Sequence, residues 1–234
     1  MTGKIGLAVF LSTNIVLAFM LPMVAQPQNW FDLPIIPGLE QKARIVFFHV
    51  PTAWLSTVAF VASMVFGIQY LRRRRYDDDL KSAAAAGIGL LFCILATVTG
   101  AVWAKFSWGT FWNWDPRQTS IFVLLLIYGA YFALRSAVEA DEKRATLSAV
   151  YTILAAVIMP FFMFVVPRIL ASLHPQPVLN TEGKTEMNSM MIALLLSSFA
   201  SFVWLAYWMW NVQVRIHRFE LDTTSHLSGV PGHG

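Results

Sequence analysis

The sequence predicts an all-α, polytopic integral membrane protein with six transmembrane helices and both termini in the cytoplasm. Of its 234 residues, 57% are hydrophobic and only 13% are charged, and the mean hydropathy is +0.58. These values lie far from those of an average soluble domain. Six apolar runs are long enough to cross a bilayer, and the basic residues fall mainly on one side of them.

Each apolar run predicts a helix, because a backbone inside lipid must satisfy its own hydrogen bonds. In chain order the predicted spans are residues 5–25, 45–71, 83–104, 119–134, 147–170 and 190–212. The first follows Lys4 like a signal peptide. Its apolar run of about twenty residues exceeds the usual length of a cleaved signal, which favours an uncleaved anchor. The fourth is short and could borrow a turn from the residues before it.

The basic residues predict the orientation of the spans. Eleven of the 17 Lys and Arg residues lie on the same side as the N-terminus, including four consecutive arginines at 72–75. Cytoplasmic loops are enriched in Lys and Arg, so both termini are expected to face the cytoplasm. Residues 1–212 are then a transmembrane domain and residues 213–234 a cytoplasmic tail. The same loops account for the net charge of +4, so no nucleic acid needs to be invoked.

Several classes of protein lack their signatures in this chain. Its single cysteine, Cys93, lies within the third span and is most simply a small buried apolar residue. The sequence contains no Cys-x-x-Cys-His motif of a c-type cytochrome, no phosphate-binding loop and no nucleophile–base signature. With six spans it has no room for a soluble catalytic module. These patterns predict a membrane protein that is not an enzyme.

The most informative stretch is an outer loop at about residues 105–119, between the third and fourth spans. It contains Trp108-Gly109-Thr110-Phe111-Trp112-Asn113-Trp114-Asp115-Pro116-Arg117-Gln118-Thr119. We call this segment the tryptophan motif. Indole rings suit a membrane–water boundary, and at this density they also suit a flat, hydrophobic ligand with an anionic edge. In the plainer interpretation they form an aromatic belt, and Asp115 pairs with Arg117 or caps the fourth helix.

Two of the five histidines lie at the outer face, one on each side of the tryptophan motif. A single histidine at a helix end is more often a hydrogen-bonding residue than a ligand. Together, however, His49 and His174 could offer neutral imidazoles to both axial positions of a haem iron. Tryptophans would cover the porphyrin face, and Arg117, with Lys105 or Arg44, could pair with the propionates. A zinc or copper site would need more ligands than two histidines.

The tryptophan motif resembles the signature of the haem-handling superfamily that serves cytochrome c biogenesis. The length, the six spans and the two outer histidines resemble the haem exporter protein C family of the cytochrome c maturation system. In that family the first histidine has a His-Val-Pro context, matched by His49, Val50 and Pro51, and the second a Leu-His context, matched by Leu173 and His174. The residue sequence of the motif also resembles that of the haem channel–ligase of the second system, whose members have more spans and histidines.

This resemblance implies a carrier of haem b, bound non-covalently with His49 and His174 as axial ligands to the iron. The residues implied to build the platform around the haem are Trp108, Trp112, Trp114, Asp115 and Arg117. The implied location is the bacterial inner membrane, with the active face periplasmic. The implied partners are a periplasmic haem chaperone, the ATPase and membrane subunits of an ABC transporter, and a small single-span subunit.

Two further interpretations come from other classes of protein. A b-type cytochrome subunit usually clamps haem between histidines inside the helix bundle. A small-molecule transporter usually has ionisable groups near the bilayer midplane. The interiors of the predicted spans contain almost no charge, and both outer histidines lie at one edge. Haem handling is therefore favoured, with the second-system ligase and the b-type cytochrome as alternatives.

Overall fold

A computed structural model describes residues 2–175, 178 and 184–228 of the chain. Within these residues the structure is helical apart from loops and one pair of very short strands. The helices are α1 (Thr2–Met20), α2 (Val46–Arg73), α3 (Tyr76–Trp108), α4 (Pro116–Ala137), α5 (Asp141–Pro160), α6 (Val166–Ile169) and α7 (Ser189–Ser228). A 3₁₀ helix (Glu40–Ile45) leads into α2, and a π-helical turn (Phe161–Val165) joins α5 to α6. Strands β1 (Met23–Val24) and β2 (Leu33–Pro34) pair in parallel.

The six predicted spans are confirmed as helices long and apolar enough to cross a membrane. They run over Gly3–Met20, Glu40–Arg73, Tyr76–Trp108, Pro116–Ala137, Asp141–Ile169 and Ser189–Glu220. The first ends earlier than predicted because Pro22 disfavours helical geometry in the residue before it. The fourth begins at Pro116, so it takes its first turn from the tryptophan motif and reaches 22 residues. We call the end of the bundle that carries this motif the motif end.

Charged side chains tie the helices together at the opposite end of the bundle. The chain reverses between α2 and α3 through Arg74, which adopts a left-handed conformation with φ of 54°. The first turn of α3 is acidic, which suits the positive end of a helix dipole. In that turn Asp77 accepts a hydrogen bond from Arg218 of α7 at 2.7 Å. Asp79 accepts two from Arg135 of α4, at 2.7 and 2.9 Å, in a bidentate geometry.

Small residues and hydroxyls bring α2, α3 and α5 together in the same half of the bundle. A Cβ atom on Gly67 of α2 would lie 2.9 Å from Cγ2 of Thr152 on α5, so only glycine allows this approach. Ser63 forms hydrogen bonds with Thr152 at 2.9 Å and with Ser82 of α3 at 3.2 Å. Such contacts replace the hydrophobic effect as the packing force between helices in lipid.

At the motif end, the loop between α1 and α2 is held by polar contacts to its neighbours. Asn188, just before α7, donates a hydrogen bond to the carbonyl of Asp32 at 2.8 Å. Arg44 donates to the carbonyls of Ala18 and Leu21, at 2.6 and 2.9 Å, and so satisfies the end of α1. This guanidinium, a candidate partner for a propionate by sequence, therefore serves as a helix cap.

The last helix continues without a break through the predicted domain boundary at residue 212. Helix α7 reaches Ser228, so residues 213–228 of the predicted tail continue the last helix, whereas the candidate span ends at Glu220. The remainder of that tail, residues 229–234, lies outside the described residues.

Candidate functional site

His49 and His174 line the same cavity at the motif end. His49 lies in the first turn of α2, and His174 follows α6 in the loop that leads to α7. The cavity has a volume of about 560 Å³, and its walls come from α2, α3, the start of α4 and the segment around α6. Cavities of this size suit organic ligands. Two residues far apart in sequence thus face one space, together with the predicted site residues Trp112 and Arg117.

The ring of His49 is oriented by α3. Its Nδ1 lies 3.0 Å from the hydroxyl of Thr99, and that hydroxyl donates its own hydrogen to the carbonyl of Leu95 at 2.8 Å. With the hydroxyl donating to Leu95, Nδ1 acts as the donor, which leaves Nε2 with a lone pair for a ligand. A Cβ atom on Gly100 would lie 2.9 Å from Cε1 of His49, so the glycine lets the ring rest against α3.

The ring of His174 is oriented by Asp115. Its Nδ1 lies 3.0 Å from the buried carboxylate, which also accepts hydrogen bonds from the backbone of Leu173 at 2.7 Å and from Ser172 Oγ at 3.0 Å. An ionised carboxylate only accepts, so Nδ1 of His174 is the donor and Nε2 is again left with its lone pair. Both histidines are thus held as the tautomer that metal-ligating histidines adopt when a second group orients them.

The charge states of this pair suit a neutral histidine ligand. Burial pushes the pKa of Asp115 upward, but hydrogen bonds from the backbone of Arg117 and Leu173 and the nearby His174 hold it below its usual value. Burial also lowers the pKa of His174, and Arg117 adds to this effect while Asp115 opposes it. At neutral pH the carboxylate is therefore ionised and the imidazole is neutral, as axial ligation of a metal requires.

Asp115 has two roles, one as the cap of α4 and one as a support for His174. It caps α4, because its side chain accepts a hydrogen bond from the backbone of Arg117 at 2.9 Å and Pro116 occupies the first position of the helix. The same carboxylate holds His174. The cap therefore places the carboxylate, and the carboxylate places the histidine.

Arg117 and Arg168 bring positive charge to the cavity wall. Nε of Arg117 is buried and has no hydrogen-bond partner in the described part of the chain. A buried N–H without an acceptor is costly, so this donor is available to an acceptor on a molecule bound in the cavity. Lys105, the other candidate for this role by sequence, donates to the carbonyl of Gly109 at 2.9 Å and does not line the cavity.

The three tryptophans of the motif occupy three different positions. Trp112 lines the cavity. Trp108 packs edge-to-face against His174, with ring centroids 4.9 Å apart, and so supports that ring. Trp114 has a left-handed backbone with φ of 55° and is 71% exposed, outside the cavity lining. The structure therefore brings Trp112 and Trp108 to the site, while Trp114 lies outside the cavity lining and packs edge-to-face against Trp112, with ring centroids 5.8 Å apart.

Sequence reasoning missed three residues of α3 that build the site. Trp103 lines the cavity, lies 6.0 Å from the ring of His174 and donates a hydrogen bond to the carbonyl of Lys42 at 3.2 Å. Thr99 and Gly100 position His49 as described above. The signal was helical periodicity, since these three residues recur within one turn on the side of α3 that meets α2. Ser172, which supports Asp115, had no signal in the sequence.

The fold and the site define a class of protein: a polytopic helical membrane protein with an aromatic, histidine-bearing cavity at one end of its bundle. Comparison with known families is more specific. The sequence pattern of the family described as Heme exporter protein C matches residues 7–226. This chain belongs to that family.

Individual relatives show the same similarity. A Heme exporter protein C from Bradyrhizobium diazoefficiens is 35% identical over 157 residues, covering 67% of this chain and 60% of that protein. One from Rhodobacter capsulatus is 35% identical over 129 residues, covering 55% of this chain and 53% of that protein. A cytochrome c biosynthesis ccmC-like mitochondrial protein from Marchantia polymorpha is 33% identical over 165 residues, or 70% and 69% of the two chains. The chain thus spans little more than half the length of the two bacterial relatives.

Proposed function

We propose that this chain binds haem b non-covalently at the outer face of the membrane and presents it to a periplasmic haem chaperone during cytochrome c maturation. Membership of the Heme exporter protein C family supports a role in haem handling. The observation that carries the proposal is the pairing of His49 and His174. They line one cavity, and each ring has its Nδ1 engaged and its Nε2 left for a ligand.

The residues of the cavity fit the chemistry of haem. The imidazoles of His49 and His174 would ligate the iron that the bound group supplies. The indoles of Trp103 and Trp112 offer large apolar surfaces for a flat macrocycle. The unpartnered Nε of Arg117 is a donor for a propionate. A tetrahedral zinc site would leave both the indoles and the guanidinium without a role.

The two histidines contribute differently to holding and releasing the ligand. His49 belongs to a long helix and rests against Gly100 of α3, so its position changes little. His174 lies in a loop and is held mainly through Asp115, Ser172 and Trp108. Loops move more readily than the helices that they connect. Release to a chaperone would therefore begin on the His174 side.

The surroundings of the protein follow from its topology and its family. We place it in the bacterial inner membrane with both termini in the cytoplasm, because the basic residues concentrate on that side of the spans. The sequence has no phosphate-binding loop, so ATP hydrolysis belongs to the ATPase of an ABC-type complex. That complex also contains a membrane subunit and a small single-span subunit. This chain acts as a haem carrier.

Haem delivery in cells tests this function. The periplasmic haem chaperone is co-expressed with the full complex, and its covalently bound haem is measured by haem staining of the denatured protein. We expect His49→Ala and His174→Ala each to remove most of the signal, whereas His226→Ala in the last helix leaves it at the wild-type level. Normal loading of the chaperone by the double variant His49→Ala/His174→Ala would overturn the proposal.

A further inference from the structure

The cavity extends far deeper into the membrane than the two histidines. Along α2 it is lined at helical spacing from Val46 through His49 and Trp54 to Val58. At 1.5 Å per residue, this stretch of α2 covers about 18 Å. The hydrocarbon core of a bilayer is about 30 Å thick, so the cavity reaches roughly its middle. A site that only faced the periplasm would not need this depth.

The depth arises because α2 and α5 meet in one half of the bundle and diverge in the other. In the cytoplasmic half Ser63 and Gly67 of α2 pack against Thr152 of α5. In the outer half α2 and the continuation of α5 through the π-helical turn Phe161–Val165 line the cavity between them. Pro160 is the last residue of α5 and directly precedes the π-helical turn, and π-helical turns and prolines both redirect a helix.

The opening between the two helices is apolar and exposed at membrane depth. On α2, Trp54 is 37% and Val58 52% exposed, and on the opposite side Phe164 is 42% exposed. All three line the cavity. The cationic side chains Arg117 and Arg168 lie at its outer end. The opening between α2 and α5 is therefore apolar along its length and positively charged at its outer end, which lies near the lipid headgroups.

Chain segments contribute to the lining at the outer end of the cavity. They provide Lys42 and Ala43 from the 3₁₀ helix and Pro175 from the His174 loop. Trp103 fastens this 3₁₀ helix by donating to the carbonyl of Lys42. A ligand that arrived from the aqueous side would have to pass these segments, whereas Trp54, Val58 and Phe164 are exposed on the side between α2 and α5.

We propose that the gap between α2 and α5 is a lateral portal through which haem enters the site from the outer leaflet of the bilayer. This inference rests on the proposed haem-binding function. Haem is a flat apolar macrocycle with two carboxylates on one edge. The ring slides between Trp54, Val58 and Phe164, while the carboxylates stay near Arg117 and Arg168, because an ionised group at the bilayer centre is costly.

A bulky side chain in the portal tests this route. Val58→Trp narrows the passage without touching either histidine. The matched control is Val65→Trp, two helical turns further along α2, where the wild-type side chain is 42% exposed to lipid and does not line the cavity. Each protein is reconstituted into phosphatidylcholine–phosphatidylglycerol vesicles, mixed with vesicles that carry haem, and followed by the shift of the haem absorption band with time.

We expect Val58→Trp to slow haem uptake about tenfold, because the added indole must be displaced during entry. The haem that it binds should still give the low-spin spectrum of two histidine ligands, and Val65→Trp should load at the wild-type rate and to the wild-type content. Trp54→Ala, which widens the passage, should load faster than the wild type. Equal uptake rates for all four proteins, with intact final spectra, would overturn the portal alone. A wild-type protein that takes up no haem would overturn the haem-binding function, and the portal with it.

Discussion

Oδ1 of Asp115 lies 3.0 Å from Nδ1 of His174, and the same carboxylate caps the helix that the tryptophan motif begins. This contact joins the conspicuous motif to a histidine almost sixty residues further along the chain. A carboxylate behind a ligating histidine fixes its tautomer and strengthens it as a ligand. The position of Asp115 in the motif is thereby explained through His174 rather than through direct contact with a ligand.

Replacing Asp115 by Asn separates its two roles. Asparagine is as good a helix cap as aspartate, so α4 should form normally. The amide lacks the charge that holds His174, and we expect haem affinity to fall about ten- to hundredfold. Titration of the purified protein with haem, followed by absorbance, measures this. Ser172→Ala, which removes only one hydrogen bond to the carboxylate, should have a smaller effect. Equal affinities for wild type and Asp115→Asn would contradict this role.

Gly100→Ala should disturb His49 through a single added methyl group. The new Cβ would lie 2.9 Å from Cε1 of the imidazole, so the ring must move away from Thr99 and from its position in the cavity. We expect weaker haem binding and a partial change from low-spin to high-spin iron. The control is Gly129→Ala on α4, where an added Cβ meets nothing within 4 Å. Alanine favours helix at both positions, so loss of binding in both variants would point to a general defect instead.

Arg117→Gln should weaken haem binding by removing the partner of a propionate. A hydrogen bond to a charged group typically contributes enough to change affinity about tenfold. The thermal stability of the ligand-free protein should be maintained, because the wild-type Nε is buried without a partner in the described residues. Titration with haem and with its dimethyl ester tests whether the effect depends on the propionates. The difference in affinity between wild type and variant should disappear with the ester. An equal difference in affinity for both ligands would rule out the propionate contact.

The ion pair between Asp79 and Arg135 should stabilise the bundle independently of the site. Both side chains are largely buried, and the pair joins α3 to α4. Asp79→Ala leaves a buried guanidinium without its counterion, which typically costs about 3–5 kcal/mol. Thermal unfolding of the detergent-purified protein should show a clearly lower Tm. The control is Asp141→Ala, which removes a more exposed pair with Arg144 and should cost less than about 1 kcal/mol. Similar Tm values for the two variants would refute this assignment.

Much of the architecture was predictable from the sequence because lipid permits few alternatives. A backbone in hydrocarbon must be helical, so six apolar runs were enough to predict the six helices that the fold contains. The helix boundaries were less predictable. The fourth span begins inside the tryptophan motif at Pro116, because an aspartate cap and a proline together start a helix more strongly than hydropathy indicates.

The site was only partly predictable, because lipid-facing and cavity-facing residues are both apolar. The histidines, Trp112 and Arg117 stood out by their chemistry, and the cavity contains all four. Trp103 lies in an apolar span, where helical periodicity groups it with Thr99 and Gly100 but does not tell a wall of the cavity from a surface that meets lipid. Trp114 was grouped with the other motif tryptophans, and its left-handed backbone leaves it 71% exposed, outside the cavity lining. Such a backbone choice depends on tertiary packing rather than on local sequence.

Axial ligation of haem by His49 and His174 is the central claim, and rescue of cavity variants with imidazole tests it most directly. Wild type, His49→Gly, His174→Gly and the double variant are purified with their haem, and absorption and electron paramagnetic resonance spectra are recorded with and without added imidazole. We predict a low-spin b-type spectrum for wild type, high-spin iron in each single variant that imidazole returns to low spin, and almost no haem in the double variant. Low-spin spectra unchanged in both single variants would contradict the assignment.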